Sequence, residues 1–295
     1  MTRSKLSLKN LVKAARNILF ITCLIAGCAS SITPTYTKEE ITTAIQDIVK
    51  SEYKLDVKAK LVGSTLWIYI PVEDLIVKSD KPEKYIERFA IEQNKSEFND
   101  DSLKLAYLIK AVPEKEMYQE YKYNKDVLAK TNHIWTVLRR VIFSIERLKK
   151  DEPKFYYLIT ADIKNGFEIK ELSYYLDLKK VSYEFISFGE YQHRSIQDVN
   201  IAPEIVGDKE GAHLNYKDIT LEDFIIEQIK HRIKLKFQKP EVDKNVDIDK
   251  EIIKVAVYTI KTYGFRDFSE VELDNLVTQN KIILNRAAVW ARPME

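Results

Sequence analysis

Glycine is nearly absent from this chain. Seven occur in 295 residues, at Gly27, Gly63, Gly166, Gly189, Gly207, Gly211 and Gly264. No two stand at the spacing of a G-x-G-x-x-G turn or a Walker loop, so the backbone cradle that nucleotide phosphates need is excluded. The G-x-S-x-G elbow of serine hydrolases is missing too. Cysteine is scarcer still: Cys23 and Cys28 are the whole supply. Nothing after residue 28 can form a disulfide, a thiolate metal site, an iron–sulfur cluster or a cysteine nucleophile. The four histidines, His133, His193, His213 and His231, form no H-E-x-x-H pair. No catalytic, cofactor-binding or metal-ligating residue is therefore assigned from the sequence.

Long apolar runs are also missing, with one short exception. Ile18–Ala26 is greasy for nine residues, against the ~20 a membrane-spanning helix requires. Arg3, Lys5, Lys9, Lys13 and Arg16 precede it, and no acidic residue appears before Glu39. A basic start, a short apolar middle and small residues at the end have the layout of a secretory signal. An ordinary signal peptide with a chance cysteine and an uncleaved N-terminal anchor are the alternatives.

Leu24-Ile25-Ala26-Gly27-Cys28 resembles the lipobox of bacterial lipoproteins. The resemblance covers the first 28 residues alone. It implies a diacylglycerol thioether on Cys28, cleavage between Gly27 and Cys28, and in many bacteria acylation of the new amino group. Each buried acyl CH₂ is worth about 0.8 kcal/mol and stable anchoring takes more than one chain, so such an anchor would hold firmly. Ala29 and Ser30 follow, without the aspartate that tends to retain such proteins in the inner membrane. The implied location is a cell membrane, the outer one where the organism has one, with the body outside the cytoplasm.

Cleavage would remove five of the 47 basic residues and none of the 45 acidic ones, leaving 42 against 45 and a formal net charge of −3. Composition thus gives no basic surface that would track nucleic acid. The body, on the order of 260 residues, is long enough to bury one or two cores.

Residues 28–37, broken by Pro34, read as a tether. Ile41, Ala44, Ile45 and Ile48 recur at helical spacing within 38–53. Leu55, Val57, Ala59 and Leu61 alternate as a half-buried strand, Gly63-Ser64 turns, and 66–72 reads as a central strand. Between 78 and 130 the charged runs 78–84 and 94–101 and the polar stretch 114–125 read as loops around a strand at 103–112. Ile134, Leu138, Val141, Ile145 and Leu148 form the strongest helical stripe, with His133 at its start. Asn165-Gly166 joins strands at 155–163 and 167–175, and helical turns follow to 198. Residues 201–218 hold Pro203, Gly207 and Gly211 and read as a linker. Leu221, Phe224, Ile225, Ile229 and Ile233 mark a helix, 248–263 another closed by Gly264, and 271–284 a hairpin. The sum is an α+β protein with helices on antiparallel sheets and two subdomains, 38–200 with a long insertion near 78–130 and 219–295. The helix–strand–turn–strand order of 38–72 returns in 248–284 as a common motif, without matching side chains.

Two constellations bear on function. Asp243, Asn245, Asp247 and Asp249 carry oxygens at calcium-loop spacing, but Ile248 stands where glycine is required and Lys254 where glutamate is. Asp247, Asp249 and Glu251 fit a helix N-terminus better. Tyrosine, at 17, clusters at Tyr118, Tyr121 and Tyr123, at Tyr156 and Tyr157, at Tyr174 and Tyr175, and at Tyr183 and Tyr191. Tyrosine suits strands and binding surfaces alike. His133 and His231 read as exposed, and a His193–Asp198 pair as ordinary surface. The expected function is a lipid-anchored, non-catalytic scaffold or adaptor for other envelope proteins. A module holding a small molecule, lipid or glycan is the alternative, and a carboxylate-dependent hydrolase ranks behind both.

Overall fold

Two mixed sheets share one helix. The computed structural model describes residues 35–144, 153–239 and 241–294, the side chains of 93–95 aside; Cys23, Gly27, Cys28 and most of the expected tether lie outside them. In chain order the elements are α1 (Ile41–Tyr53), β1 (Lys58–Val62), β2 (Thr65–Val72), β3 (Ile76–Asn99), β4 (Ser102–Tyr123) and α2 (Lys125–Ser144). There follow β5 (Phe155–Asp162), β6 (Phe167–Tyr174), α3 (Tyr175–Ser182), α4 (Phe188–Arg194) and β7 (Ile196–Ile201). The chain closes with α5 (Leu221–Gln238), α6 (Ile248–Tyr263), β8 (Glu270–Asn275), β9 (Asn280–Asn285) and α7 (Arg286–Ala291).

The class is α+β, as the sequence predicts. The first sheet runs β1-β2-β5-β6-β7 and the second β3-β4-β8-β9. Pairing is antiparallel except at β2–β5 and β4–β8, which are parallel. Both exceptions join strands far apart in sequence, the arrangement parallel pairing requires because a hairpin cannot make it.

One face of the first sheet carries Leu66, Ile68, Ile70, Tyr156 and Leu158 and buries Ile41, Ile45 and Val49 of α1 with Ile134, Leu138 and Val141 of α2. Its other face carries Trp67, Tyr69, Phe155 and Ile159 and meets α5, α6 and the second sheet in a separate core. α5 buries roughly two-thirds of its circumference, judged at 100° per residue. Near its start Phe224 packs on Phe155 of the first sheet at 5.3 Å between ring centroids. Near its end Phe237 meets Phe89 of β3 edge-on at 5.2 Å.

The stretch 78–130 corrects the sequence reading most. The runs 78–84, 94–101 and 114–125, predicted as loops, belong to one long hairpin of β3 and β4, turned at Asp100-Asp101, both at positive φ. Leu103, Leu105, Tyr107 and Ile109 are buried, but from Lys110 to Tyr123 β4 is almost wholly exposed. A ribbon wet on both faces has no apolar alternation to betray it. Pro82 and Pro113 both fall at shifts of register, where a missing N–H breaks no ladder bond. β4 pairs with β8, so the second sheet takes strands from both sides of the expected domain boundary.

Residues 201–218 are fastened along their length rather than strung free as a linker. Gly207 N–H donates to Ile163 O (2.8 Å), Tyr69 Oη to Asp208 O (2.7 Å) and Trp67 Nε1 to Lys217 O (2.9 Å). Asp218 Oδ1 accepts from Ser64 N, Ser64 Oγ and Thr65 Oγ1 at 2.9–3.1 Å and so clamps the β1–β2 turn. The helical turns predicted through 198 end at Arg194, and 196–201 is strand β7. The two helix–hairpin units join their sheets differently, through β2 in one and β8 in the other.

Gly63 and Gly264 both have positive φ, near 60°. At Gly264 the space around a Cβ is open; at Gly63 a Cβ would collide with the Asp218 carboxylate, which could yield only by breaking its bonds. Gly264→Ala is expected to cost about 1 kcal/mol and Gly63→Ala at least about 2 kcal/mol. Urea unfolding of the two variants checks the order.

Candidate functional site

β7 ends the first sheet. It pairs with β6 alone, and no strand among the described residues takes its outer edge. Because Phe167 stands opposite Ile201 and Ile169 opposite Val199, these four share one face. It is the face that α1 and α2 cover further along, and they do not reach this corner: Val199 is 49% exposed and Ile201 77%. The exposed end of β4 forms the opposite wall. Tyr118, Tyr121 and Tyr123 stand clear of the core there, and the Tyr121 ring lies 5.9 Å from that of Phe167. Between them runs an open groove of about 430 Å³, lined also by Ile76, Gln119 and Asn200.

Of the tyrosines singled out from the sequence, those at 118, 121 and 123 thus meet at one surface. Tyr156, Tyr175 and Tyr191 are core residues, Tyr157 and Tyr174 flank the core, and Tyr183 is exposed and stacks on Phe143. The apolar partners Val199 and Ile201 were hidden in the sequence, since a six-residue edge strand after helical turns gives little periodic signal.

Behind the groove, on the same face, Glu171 sits opposite Gln197. Burial pushes its carboxyl up to about 7, against hydrogen bonds from Gln197, Ser173 and Ser195. Ser173 Oγ also meets Ser195 Oγ at 3.0 Å and accepts from Tyr191 Oη at 3.1 Å, tying β6 to α4.

The opposite face of β6 holds an acid–histidine–acid row. Asp208 is held below the usual carboxylate range: burial opposes ionisation, but bonds from His213 and from backbone N–H groups of Glu210, His213 and Gly211 outweigh it. An ionised carboxylate only accepts, so His213 Nδ1 is the donor in the 2.8 Å contact with Asp208 Oδ2. On the far side His213 Nε2 lies 3.5 Å from Glu168 Oε2. The neighbouring Tyr69 hydroxyl donates to the Asp208 carbonyl, and burial raises its pKa. With that hydroxyl engaged, and with neither Glu168 nor His213 lining the groove, the row acts as a fastener for residues 208–213.

The remaining expected residues separate. His133 is exposed, stacked on Tyr53 at 4.4 Å, and lies inside α2 rather than at its start. His231 is buried, not exposed, and burial lowers its pKa to about 4. Asp198 pairs with Lys234 at 3.1 Å. Asp247 caps α6 by accepting from Lys250 N at 3.0 Å, the helix-terminus role expected of it. Asp249 accepts from Tyr107, Asn275 and Asn280. Among the described residues no group of acidic, histidine or cysteine side chains is placed to hold a metal, and no helix is long and apolar enough to cross a membrane.

Comparison with protein-family models, curated proteins and solved structures finds no match.

Glu171 and His231 bend the pH dependence of stability in opposite senses. As pH rises from about 4.5 to 7, folded Glu171 keeps a proton the unfolded chain has lost, and stability falls. As pH falls from 6.5 to about 4, the unfolded chain protonates His231 while the fold resists, and stability again falls. Because Glu171 keeps some exposure, its share is discounted to roughly 1–2 kcal/mol. Glu171→Gln should gain on the wild type by that amount between pH 4.5 and 7, and His231→Phe should lose less stability than wild type below pH 6; urea unfolding from pH 4 to 8 measures both.

Proposed function

We propose that this protein is a lipid-anchored adaptor of the bacterial cell envelope, tethered through Cys28 and engaging other envelope proteins at the groove between β4 and β7. The observation that carries the reading is the row of exposed Tyr118, Tyr121, Val199 and Ile201 beside a strand edge that no strand among the described residues pairs. Free N–H and C=O groups on an edge strand offer main-chain hydrogen bonds to an extended segment, and side pockets beside them select its residues. Edge strands are normally blunted by charge, proline or a covering element. β7 has Asp198 paired to Lys234, but its exposed apolar residues point into the groove. Tyrosine supplies such contact area at little entropic cost and is enriched where proteins meet. No catalytic step is assigned.

Two measurements test the reading. Metabolic labelling with a fatty acid should mark the wild type and not Cys28→Ser, which should leave the membrane fraction. A photo-crosslinking residue at position 118 or 201 of the full chain, in its native cell, should capture envelope proteins that the same residue at position 139, on the outer surface of α2, does not. Equal capture at all three positions would overturn the groove as the docking face.

A further inference from the structure

The two most exposed aromatic side chains among the described residues are Phe185, at 80%, and Phe188, at 66%, where α3 gives way to α4. They are held out rather than left loose. Glu184 N donates to Val181 O (3.2 Å) and Phe185 N to Lys180 O (2.8 Å), the paired bonds that close a helix through a left-handed residue, here Glu184 at φ 61°. In that pattern the next residue usually packs back on the helix. Phe185 turns outward instead. Ile186 then packs on the core under α1 and α2, and Ser187 Oγ accepts from Glu190 N at 3.0 Å to start α4. Beside Phe185 opens a cleft of about 450 Å³, lined by Lys180, Arg194, Lys261 and Met294 among others, with no acid in its walls. Asp177 is shared between Arg194 at 2.9 Å and Lys180 at 3.6 Å. Lys261 donates to the carbonyls of Trp290 and Arg292 and meets no carboxylate among the described residues. Of the acids nearby, Glu190 is bonded to Arg194 and Glu184 is exposed.

An apolar tip rimmed by lysine suits the interface of an anionic bilayer, where the rings enter below the headgroups and the ammonium groups meet them. The place where the chain enters the structure points the same way. Tyr36 packs on the core under α1 and α2. Arg140 of α2 donates to Glu52 at 2.7 Å, and the phenols of Tyr53 and Tyr36 lie close enough to favour its charge further. One turn on, Phe143 stacks on Tyr183 at 5.7 Å, two residues before Phe185. Thr35 stands seven residues after Cys28, at most about 25 Å of chain. An anchor at Cys28 thus keeps this end of the body within reach of the membrane. Two aromatic side chains hold a free protein on a bilayer only weakly, but a short tether makes their docking intramolecular and raises its effective concentration.

We propose, on the strength of the Cys28 anchor, that the α3–α4 loop docks on an anionic bilayer, with Phe185 and Phe188 entering between headgroups that Lys180 and Lys261 face. Docked so, the protein holds its tyrosine groove at the far end of β6, which runs eight residues from Phe167, opposite Ile201, to Tyr174, after which α3 begins. The full-length chain, purified from membranes of its native cell and reconstituted in phosphatidylcholine vesicles with or without phosphatidylglycerol, tests this. Phe185→Cys and Ile201→Cys each give the processed chain one thiol for an environment-sensitive dye, and lipids spin-labelled in the acyl chain quench a dye that enters the bilayer. Quenching at 185 should exceed that at 201 several-fold and rise with phosphatidylglycerol. Lys180→Gln should lower the ratio of docked to undocked chain about fivefold in the mixed vesicles and leave it unchanged in phosphatidylcholine alone. Uptake of dye by the wild type would reveal a free thiol and overturn the anchor, and the docking with it. With the wild type unlabelled, three results would each overturn the docking alone: equal quenching at 185 and 201, no response to phosphatidylglycerol, or an unquenched dye at 185 whose emission shifts to the blue, the mark of a protein partner.

Discussion

The structure depends on burying α5 on two sides at once. The second sheet and one of the two dry faces of the first both need a cover, and here one helix serves both. Phe224 at one end closes over Phe155, while Phe237 at the other meets Phe89. A helix with a narrow apolar stripe can serve one sheet; one buried over most of its girth must sit between partners. This constraint explains Gln228 and His231, polar residues placed where α5 has no wet side to offer them. Gln228 Nε2 finds the His193 carbonyl at 3.0 Å, while His231 stays neutral over most of the pH range because burial disfavours its charge.

The clamp at Asp218 and the Asp208–His213–Glu168 row do related work around that helix. Asp218, Asp208 and His213 lie in the segment leading into α5; Ser64 and Thr65 donating to Asp218, and Tyr69 to the Asp208 carbonyl, fix it to the first sheet, with His213 set beside Glu168 of β6. A carboxylate at the core boundary is tolerable only when its lone pairs are met. Asp162 shows the same economy at the other end of β5, where it accepts from Ile76 N, Lys164 N, Asn165 N and Asn165 Nδ2. Loops of this fold are thus held by acidic side chains that turn inward around the positive-φ glycines Gly63, Gly166, Gly207 and Gly211.

Legibility in the sequence followed burial contrast. α1 and α6 and strands β2, β5 and β8 have one dry and one wet side, or two dry ones, and their residues announced them. The ribbon from Val77 to Glu87 and from Lys110 to Tyr123 is wet on both faces, so its strand character left no periodic trace, and its charged runs read as loops. His231 was misjudged because Lys230 and Arg232 flank it, although on a helix each points about 100° away from it. Half of the groove was legible, since Tyr118, Tyr121 and Tyr123 stand out. The other half was not, because nothing in a linear reading brings Val199 and Ile201 beside them.

The pairing of β4 with β8 sets an order of events for the emerging chain. Leu103, Leu105, Tyr107 and Ile109 acquire their neighbour strand only when residues 270–275 arrive, and contacts of such long range form late. Until then a sticky hairpin must travel uncovered, exposed to self-association. If the chain is exported as proposed, it would emerge start-first in just that state, and the strand order would then call for cover during transit.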